Sequence, residues 1–373
     1  MTGVEIAGIG THPFGRFDGL SVTDMGVAAV RAALHDAGNP MFQAAFCGTA
    51  YSGVASGHKV LGAIARTGMP IVDVEAGCAS GAAALALGAA SIRSGQHDCV
   101  LVFGIEKMPK GMIRSSFFEP WREQAGLAAT PSYFALRAQR LMRERGVTKH
   151  DLAEVCVKNR ANGVLNEFAM FRKPVTTNDV LASRVVCEPL HLWMLCSPNE
   201  GAAAVVLRAA RTPTITLRAA VLCSHLPGSV LGEATPMAGI DDTNITPPST
   251  LAVDAAYEQA GVAPNDLHIV ECQDTDAARE LLAWEELRIC PPGEQSRHLA
   301  DRTHALGGTL PVNTSGGLLS KGEPLGASAL GQVVELVLQL RGAAGDRQVQ
   351  GAKVGLAHTV GRGANASAVI VST

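Results

Sequence analysis

Glu75-Ala76-Gly77-Cys78-Ala79-Ser80-Gly81-Ala82-Ala83-Ala84-Leu85 is the stretch from which the fold is read. It follows the short β-rich run Pro70 to Val74 and leads into an Ala-rich run that continues to Ser94. The order is strand, glycine turn, helix, with Cys78 at the helix start. Helix N-termini present unpaired N–H groups and about half a positive charge. Both favour thiolate over thiol, so Cys78 is a candidate nucleophile. The backbone N–H at the same turn is a candidate oxyanion donor. From Ala79 to Ile92 the helix carries no charge. A helix apolar on all sides belongs inside a layered protein.

Outward from this stretch, strand-like and helix-like runs alternate. Val4 to Ile9 reads as a strand, Ser21 to Ala37 as a helix, Ala44 to Ala50 as a strand, His58 to Thr67 as a helix, and Cys99 to Gly104 as a buried strand. Such alternation implies crossover units and a largely parallel sheet. The order recurs further on. Pro248 to Gly261 and Gly326 to Arg341 read as helices, and Leu267 to Cys272, Val354 to His358 and Ala366 to Ser372 as strands. AALHDAGNP in the first half matches AAYEQAGVAP in the second, which points to an internal duplication. The expected division is residues 1–220 and 221–373. A more polar stretch, about 108–195, is inserted in the first half, where it covers a site or carries a subunit contact. Leu195 to Leu207 then returns to strand character.

Composition excludes several classes. Apolar residues make up 47% of the 373 and charged residues 17%, so disorder is excluded. Aromatics are 4% while Gly numbers 40, so the core is built from small side chains that let layers approach closely. A net charge of −3 without a dense Lys/Arg cluster argues against nucleic acid. No uninterrupted apolar run reaches about 18 residues, which argues against a membrane span. The opening MTGVEIAGIG reads as a first strand and not as a signal peptide. The nine cysteines show no metal-binding spacing, so no metal is expected, and they suit a reduced, cytoplasmic compartment.

Three more segments carry polar groups at element ends. Asn313-Thr-Ser-Gly-Gly-Leu-Leu-Ser-Lys-Gly-Glu323-Pro324 precedes the second long helix. Glu323 thus holds in the second half the position that Cys78 holds in the first. If the halves pack about a pseudo-twofold axis, thiol and carboxyl share one site. A plain helix-starting acid is the other reading of Glu323. Leu356-Ala-His358-Thr359-Val-Gly361-Arg-Gly363 runs a strand into a glycine turn whose N–H groups suit an oxyanion. Gln273-Asp274-Thr275-Asp276 follows a buried strand, where open α/β sheets place binding groups. A helix N-cap at Asp274 or Thr275 is the alternative there.

Together these segments resemble the thiolase superfamily, in particular its sterol-carrier-protein-X-type and lipid-transfer-protein-like branch. GCASGAAAL at Gly77 to Leu85, GIEKM at Gly104 to Met108, EPL at Glu188 to Leu190, SPNEGAAA at Ser197 to Ala204 and NTSGGLLSKGEPLGA from Asn313 carry the resemblance, with QLRGAAGDRQVQGAKVGLAH and the glycine turn. It implies a five-layer αβαβα thiolase fold from two duplicated halves and a homodimer. It implies a coenzyme A thioester as substrate and no covalently bound cofactor. A small zinc-ribbon/OB-fold partner protein is also implied. Cys78 matches the acyl-accepting cysteine, and the amides of Cys78 and Gly361 match the thioester oxyanion hole.

The chain departs from the family pattern at three places. Glu323 stands where the family has a GHP histidine, Gln273 and Thr275 replace the histidine and cysteine of a His-Asp-Cys-Phe run, and Thr359 replaces a second cysteine. Asp274, Thr275 and Thr359 are therefore expected to support the site, with no second thiol near. Two anions about 4 Å apart repel by about 4 kcal/mol at an effective dielectric of about 20. That keeps one proton on the Cys78–Glu323 pair near neutrality. Glu323 can take the thiol proton or move a proton at the substrate α-carbon. It cannot, while ionised, donate to an enolate, so His358 or Gln273 is expected to do so. The resulting expectation is an acyltransferase acting on a β-ketoacyl-CoA through acyl-Cys78. Alternatives are a retro-aldol lyase on a CoA thioester and a non-catalytic acyl-CoA- or lipid-binding subunit.

Overall fold

The structure is a computed structural model that describes residues 3–110, 120–126, 129–227, 245–361 and 365–373. The chain begins with β1 (Gly3–Gly15), α1 (Val22–Asp36), β2 (Ala44–Gly48), α2 (Ser56–Gly62), β3 (Ile71–Val74), α3 (Ser80–Arg93) and β4 (Cys99–Lys107). The stretch expected as an insertion holds α4 (Pro120–Gln124), α5 (Thr130–Arg145), α6 (Lys149–Val164), α7 (Thr177–Ala182), β5 (Val185–Cys187) and β6 (Leu190–His191). Then follow β7 (Glu200–Ala210), β8 (Thr216–Ser224), α8 (Pro248–Ala260), β9 (Ile269–Cys272), α9 (Ala277–Glu286), α10 (Gln295–Ala300), α11 (Gly317–Lys321), α12 (Leu325–Leu340), β10 (Val354–Gly361) and β11 (Asn365–Ser372). Local chemistry sets several of these ends. Ser21 and Asp24 form a capping box at the start of α1, with Asp24 N donating to Ser21 Oγ at 3.1 Å and Ser21 N to the Asp24 carboxylate at 2.9 Å.

The main sheet has the strand order β3-β2-β4-β7-β1-β8-β11-β10-β9. One residue pair, Glu5↔Thr216, joins β1 to β8, so the sheet is two runs meeting edge to edge. The expectation of a largely parallel sheet is corrected. β2 is parallel to β3 and β4, and β9 to β10, but β7 runs antiparallel to both β1 and β4, and β11 to both β8 and β10. β11 follows β10 in chain order with no element between and pairs back on it, while β7 returns beside β4 and β1 only after the inserted stretch, and both run opposite to their neighbours. Residue 220, the expected boundary, lies inside β8, which runs as one strand along β11.

The five-layer arrangement is found. The helix α3, charged only at its last residue Arg93, and the nearly uncharged α12 pack on each other and touch strands of both runs, forming the middle layer, while α1 covers β1 and β7 outside one run and α8 covers β8 and β11 outside the other. Small residues make the middle possible. A Cβ on Gly104 of β4 would lie 2.1 Å from the Gly326 carbonyl oxygen on α12. Only glycine lets backbone meet backbone so closely. From the inserted stretch, α5 packs on α9, and α6 on α9 and α11, so it sits over the second half, beside the starts of the central helices.

Candidate active site

Strand β3 ends two residues before Gly77, whose φ of +59° suits glycine. Gly77 N donates to Glu75 Oε1 at 2.8 Å, and Ser80 Oγ donates to Gly77 O at 2.6 Å and accepts from Ala76 N at 2.9 Å. Residues 77–79 form one tight 3-10 turn and α3 starts at Ser80, so Cys78 lies in the turn just ahead of the α-helix. Its side chain is half-buried. The end of β10 runs directly against this turn, since a Cβ on Gly361 would lie 2.2 Å from Ala76 O. Of the expected glycine turn, Arg362 and Gly363 lie outside the described residues.

Glu323 is fixed from its backbone outward. Its N–H donates to Ser197 O at 2.9 Å and its carbonyl accepts from Asn199 N at 3.3 Å. Gly322, at φ +89°, packs against the Asn199 amide, which donates to Lys321 O at 2.9 Å. The Glu323 carboxylate is buried and holds two donors. Gln273 Nε2 donates to Oε1 at 2.9 Å and Cys196 Sγ donates to Oε2 at 3.2 Å. The Gln273 amide is oriented by its own oxygen, which accepts from Val360 N. Its Nε2 therefore faces Glu323, and the carboxylate must accept there. A second N–H of the same amide remains for a ligand.

Cys78, Cys196, Gln273, Thr275 and Glu323 all line one cavity of about 320 Å³. Its remaining wall is largely apolar, from Phe134 of α5, Leu192, Leu195, Leu325 and Val360. Arg137 and Arg279 also line it, but both are buried against carboxylates, Arg137 on Asp276 and Arg279 on Glu286. The inserted stretch thus supplies one wall of the cavity.

The structure brings together Cys78, Glu323, Gln273 and Thr275 as expected, and sets the others elsewhere. His358 is corrected: it does not line the cavity. Its ring is fully buried in β10 and its Nε2 meets Ser249 Oγ of α8 at 3.0 Å, because its place in the strand aims it at the outer helix layer. Thr359, one residue on, faces the opposite way and donates to Gln332 Oε1 of α12 at 2.8 Å, also outside the cavity. Asp274 is buried and accepts from Leu318 N at 2.6 Å, Leu319 N at 3.1 Å and Asn159 Nδ2 at 2.8 Å, so it holds the start of α11. Burial, then the neighbouring Glu280, pushes its carboxyl well above the usual range. The N-cap of α9 is Asp276, not Asp274 or Thr275, with Arg279 N donating to Oδ1 at 3.0 Å.

The expectation of no second thiol near is also corrected. Cys196 sits directly before the SPNEGAAA motif, and its N–H donates to Thr275 O at 2.9 Å. Nothing in its spacing singles it out. It reaches the site because the segment before β7 is bridged to Glu323. Burial, and next the Glu323 charge, push the Cys196 thiol well above its ordinary pKa.

His358 gives a first prediction. Burial, and then Arg279, hold its ring well below the usual histidine range. The unfolded chain protonates it near pH 6.5, so its stabilising contribution is complete above that value and is lost as pH falls below it. His358→Gln is expected to keep activity and to lose about 1–3 kcal/mol at neutral pH. The urea midpoints of variant and wild type should converge below about pH 6.5. Loss of turnover in a stably folded variant would contradict the assignment.

Among the described residues, no group of three or more His, Cys, Asp or Glu is placed to hold a metal ion, and no helix is long and apolar enough to cross a membrane. A family model described as the thiolase N-terminal domain matches residues 4–211, and one described as the thiolase C-terminal domain-like matches residues 235–373. An acetyl-CoA acetyltransferase of Methanothermobacter thermautotrophicus is 35% identical over 99% of both chains. The subunit BbsB of a Thauera aromatica benzoylsuccinyl-CoA thiolase is 33% identical over 97% of this chain and 96% of that one. Sterol carrier protein 2 of Bos taurus is 32% identical over 99% of this chain and 71% of that one. Among solved structures, an Ltp2–ChsH2(DUF35) aldolase matches with a TM-score of 0.86 and 25% identity over 100% of this chain and 98% of that one. Human mitochondrial 3-ketoacyl-CoA thiolase matches with a TM-score of 0.73 at 18% identity, over 100% and 99%, which is a likeness of fold.

Proposed function

We propose, from the premise that this chain belongs to the thiolase superfamily, that it makes or cleaves a carbon–carbon bond of a β-ketoacyl-CoA through a thioester on Cys78. The observation that carries this reading is Glu323, a buried carboxylate held by Gln273 and Cys196 in the cavity that Cys78 lines. In the proposed sequence Glu323 takes the Cys78 thiol proton as the sulfur attacks the substrate carbonyl. The amides of Cys78 and Gly361 receive the oxyanion. The uncommitted N–H of Gln273 donates to the enolate oxygen. The apolar wall from Phe134, Leu192 and Leu195 suits an acyl chain.

Incubation with acyl-CoA thioesters, followed by intact-mass and peptide mass spectrometry, tests the proposal. One acyl group on Cys78, removed by free coenzyme A, is the expected result. Wild-type protein that turns over substrate and never carries an acyl group on Cys78 would overturn it.

A second reading is retro-aldol cleavage of a CoA thioester. The greater likeness to the aldolase than to the human thiolase favours it. It requires an aldehyde or ketone product without consumption of free coenzyme A. The same aldolase structure, which holds Ltp2 with ChsH2(DUF35), supports a small zinc-ribbon/OB-fold partner for this chain beside a homodimer. None of the nine cysteines is in a disulfide, which supports a reducing, cytoplasmic setting.

A further inference from the structure

We propose that Cys196 is the catalytic acid and base at the substrate α-carbon. This rests on the acyl-Cys78 reading but is separable from it by experiment. The cavity needs a group that can give a proton to carbon and take one back. Cys78 is engaged as the acyl carrier and Glu323 with the Cys78 proton. The Gln273 amide and the Thr275 hydroxyl are far too weakly acidic, and the Thr275 hydroxyl is turned toward Asp276 at 3.3 Å. Arg137, Arg184 and Arg279 line the cavity too, but a guanidinium holds its proton too tightly to exchange one with carbon. No histidine lines the cavity among the described residues. Cys196 remains. Its Sγ lines the same cavity and lies 3.2 Å from Glu323 Oε2, the opposite oxygen from the one Gln273 holds.

The environment suits the task in both directions. Burial and the adjacent carboxylate keep the resting thiol protonated. Once its proton is gone, the same burial makes the thiolate a stronger base than a free cysteine, which a carbon-bound proton requires, while Glu323, by then carrying the Cys78 proton, adds no charge. The steps balance. Cys78 gives its proton to Glu323 and its sulfur bonds to the β-carbonyl carbon. The bond between the α- and β-carbons breaks and leaves its electron pair on the α-carbon. The Cys196 S–H gives that carbon its proton and becomes a thiolate. The thiol of an incoming coenzyme A returns a proton to Cys196, and its sulfur takes the acyl group from Cys78. The released Cys78 sulfur recovers its proton from Glu323. No oxidant or reductant is needed.

The test is deuterium exchange at the α-carbon of acetyl-CoA and propionyl-CoA in D2O. It is read by mass spectrometry for wild type, Cys196→Ala and Cys196→Ser. Acylation of Cys78 is followed in parallel. Serine keeps a donor to Glu323 and nearly the same volume but is a far weaker acid, so it separates acidity from space. Circular dichroism establishes that each variant is folded. The expected result is exchange in the wild type, a fall of about 10²-fold or more in both variants, and a smaller fall in acylation of Cys78, because the coenzyme A thiolate leaves without the proton that a carbanion needs. Exchange reduced less than tenfold in either folded variant overturns the proposal. So does absence of exchange in the wild type. Equal loss of acylation and exchange in both variants also overturns it, because Cys196 then serves only to hold Glu323. If the wild type exchanges through Cys196 yet never acylates Cys78, the acyl-enzyme reading falls and the role of Cys196 stands.

Discussion

Cys78→Ala is expected to abolish acyl transfer, with turnover falling on the order of 10⁴-fold or more and with no acyl adduct on the protein. Removing the nucleophile from a set of groups that act as a unit costs nearly the whole enzymatic contribution. Neither Cys196 nor Glu323 can replace it. The Cys196 thiol is held protonated beside a carboxylate, and the Glu323 carboxylate already accepts two hydrogen bonds. Folding should be little affected, because the Cys78 side chain is half-buried and the turn is held by Glu75 and Ser80. Steady-state turnover and urea unfolding measured on the same preparation separate the two. A variant retaining a tenth of wild-type turnover would remove the acyl-Cys78 mechanism and leave the retro-aldol reading, which does not need the thiol.

Glu323→Gln is expected to lower turnover by about 10²–10⁴-fold, the usual worth of a positioned general base. The substitution preserves size but not proton affinity, so the Cys78 proton has no acceptor. It also disturbs the donor pattern. Gln273 Nε2 is committed to this position because its own oxygen is held by Val360 N. One half of the introduced amide must then present N–H groups where the Cys196 S–H now points. The loss should appear in the rate of Cys78 acylation, measured by rapid quench, more than in binding of the thioester. Unchanged acylation would mean that the Cys78 proton leaves by another route.

The sequence carried the helix starts well. Gly77 before Cys78, Pro324 after Glu323 and the long runs without charge are local signals, and they put α3 and α12 at the centre. It carried Gln273 and Thr275 as groups at a strand end, without their partners. It misled at His358 because a strand-end histidine looks alike whichever face it serves. The pairing of β10 with β9 and β11 turns that ring toward Ser249. It gave no hint of Cys196, which no spacing rule connects to Glu323 across the intervening chain.

By itself, then, the sequence determined the layered fold and the two helix starts that carry Cys78 and Glu323. Turn glycines, proline positions and side-chain periodicity act within a few residues and are written where they act. Strand direction, the face on which each strand-end side chain lies, and the company of Glu323 were decided only by the tertiary structure. They depend on which distant segments meet, as when the residues before β7 bridge to Glu323 and bring a second thiol to its carboxylate.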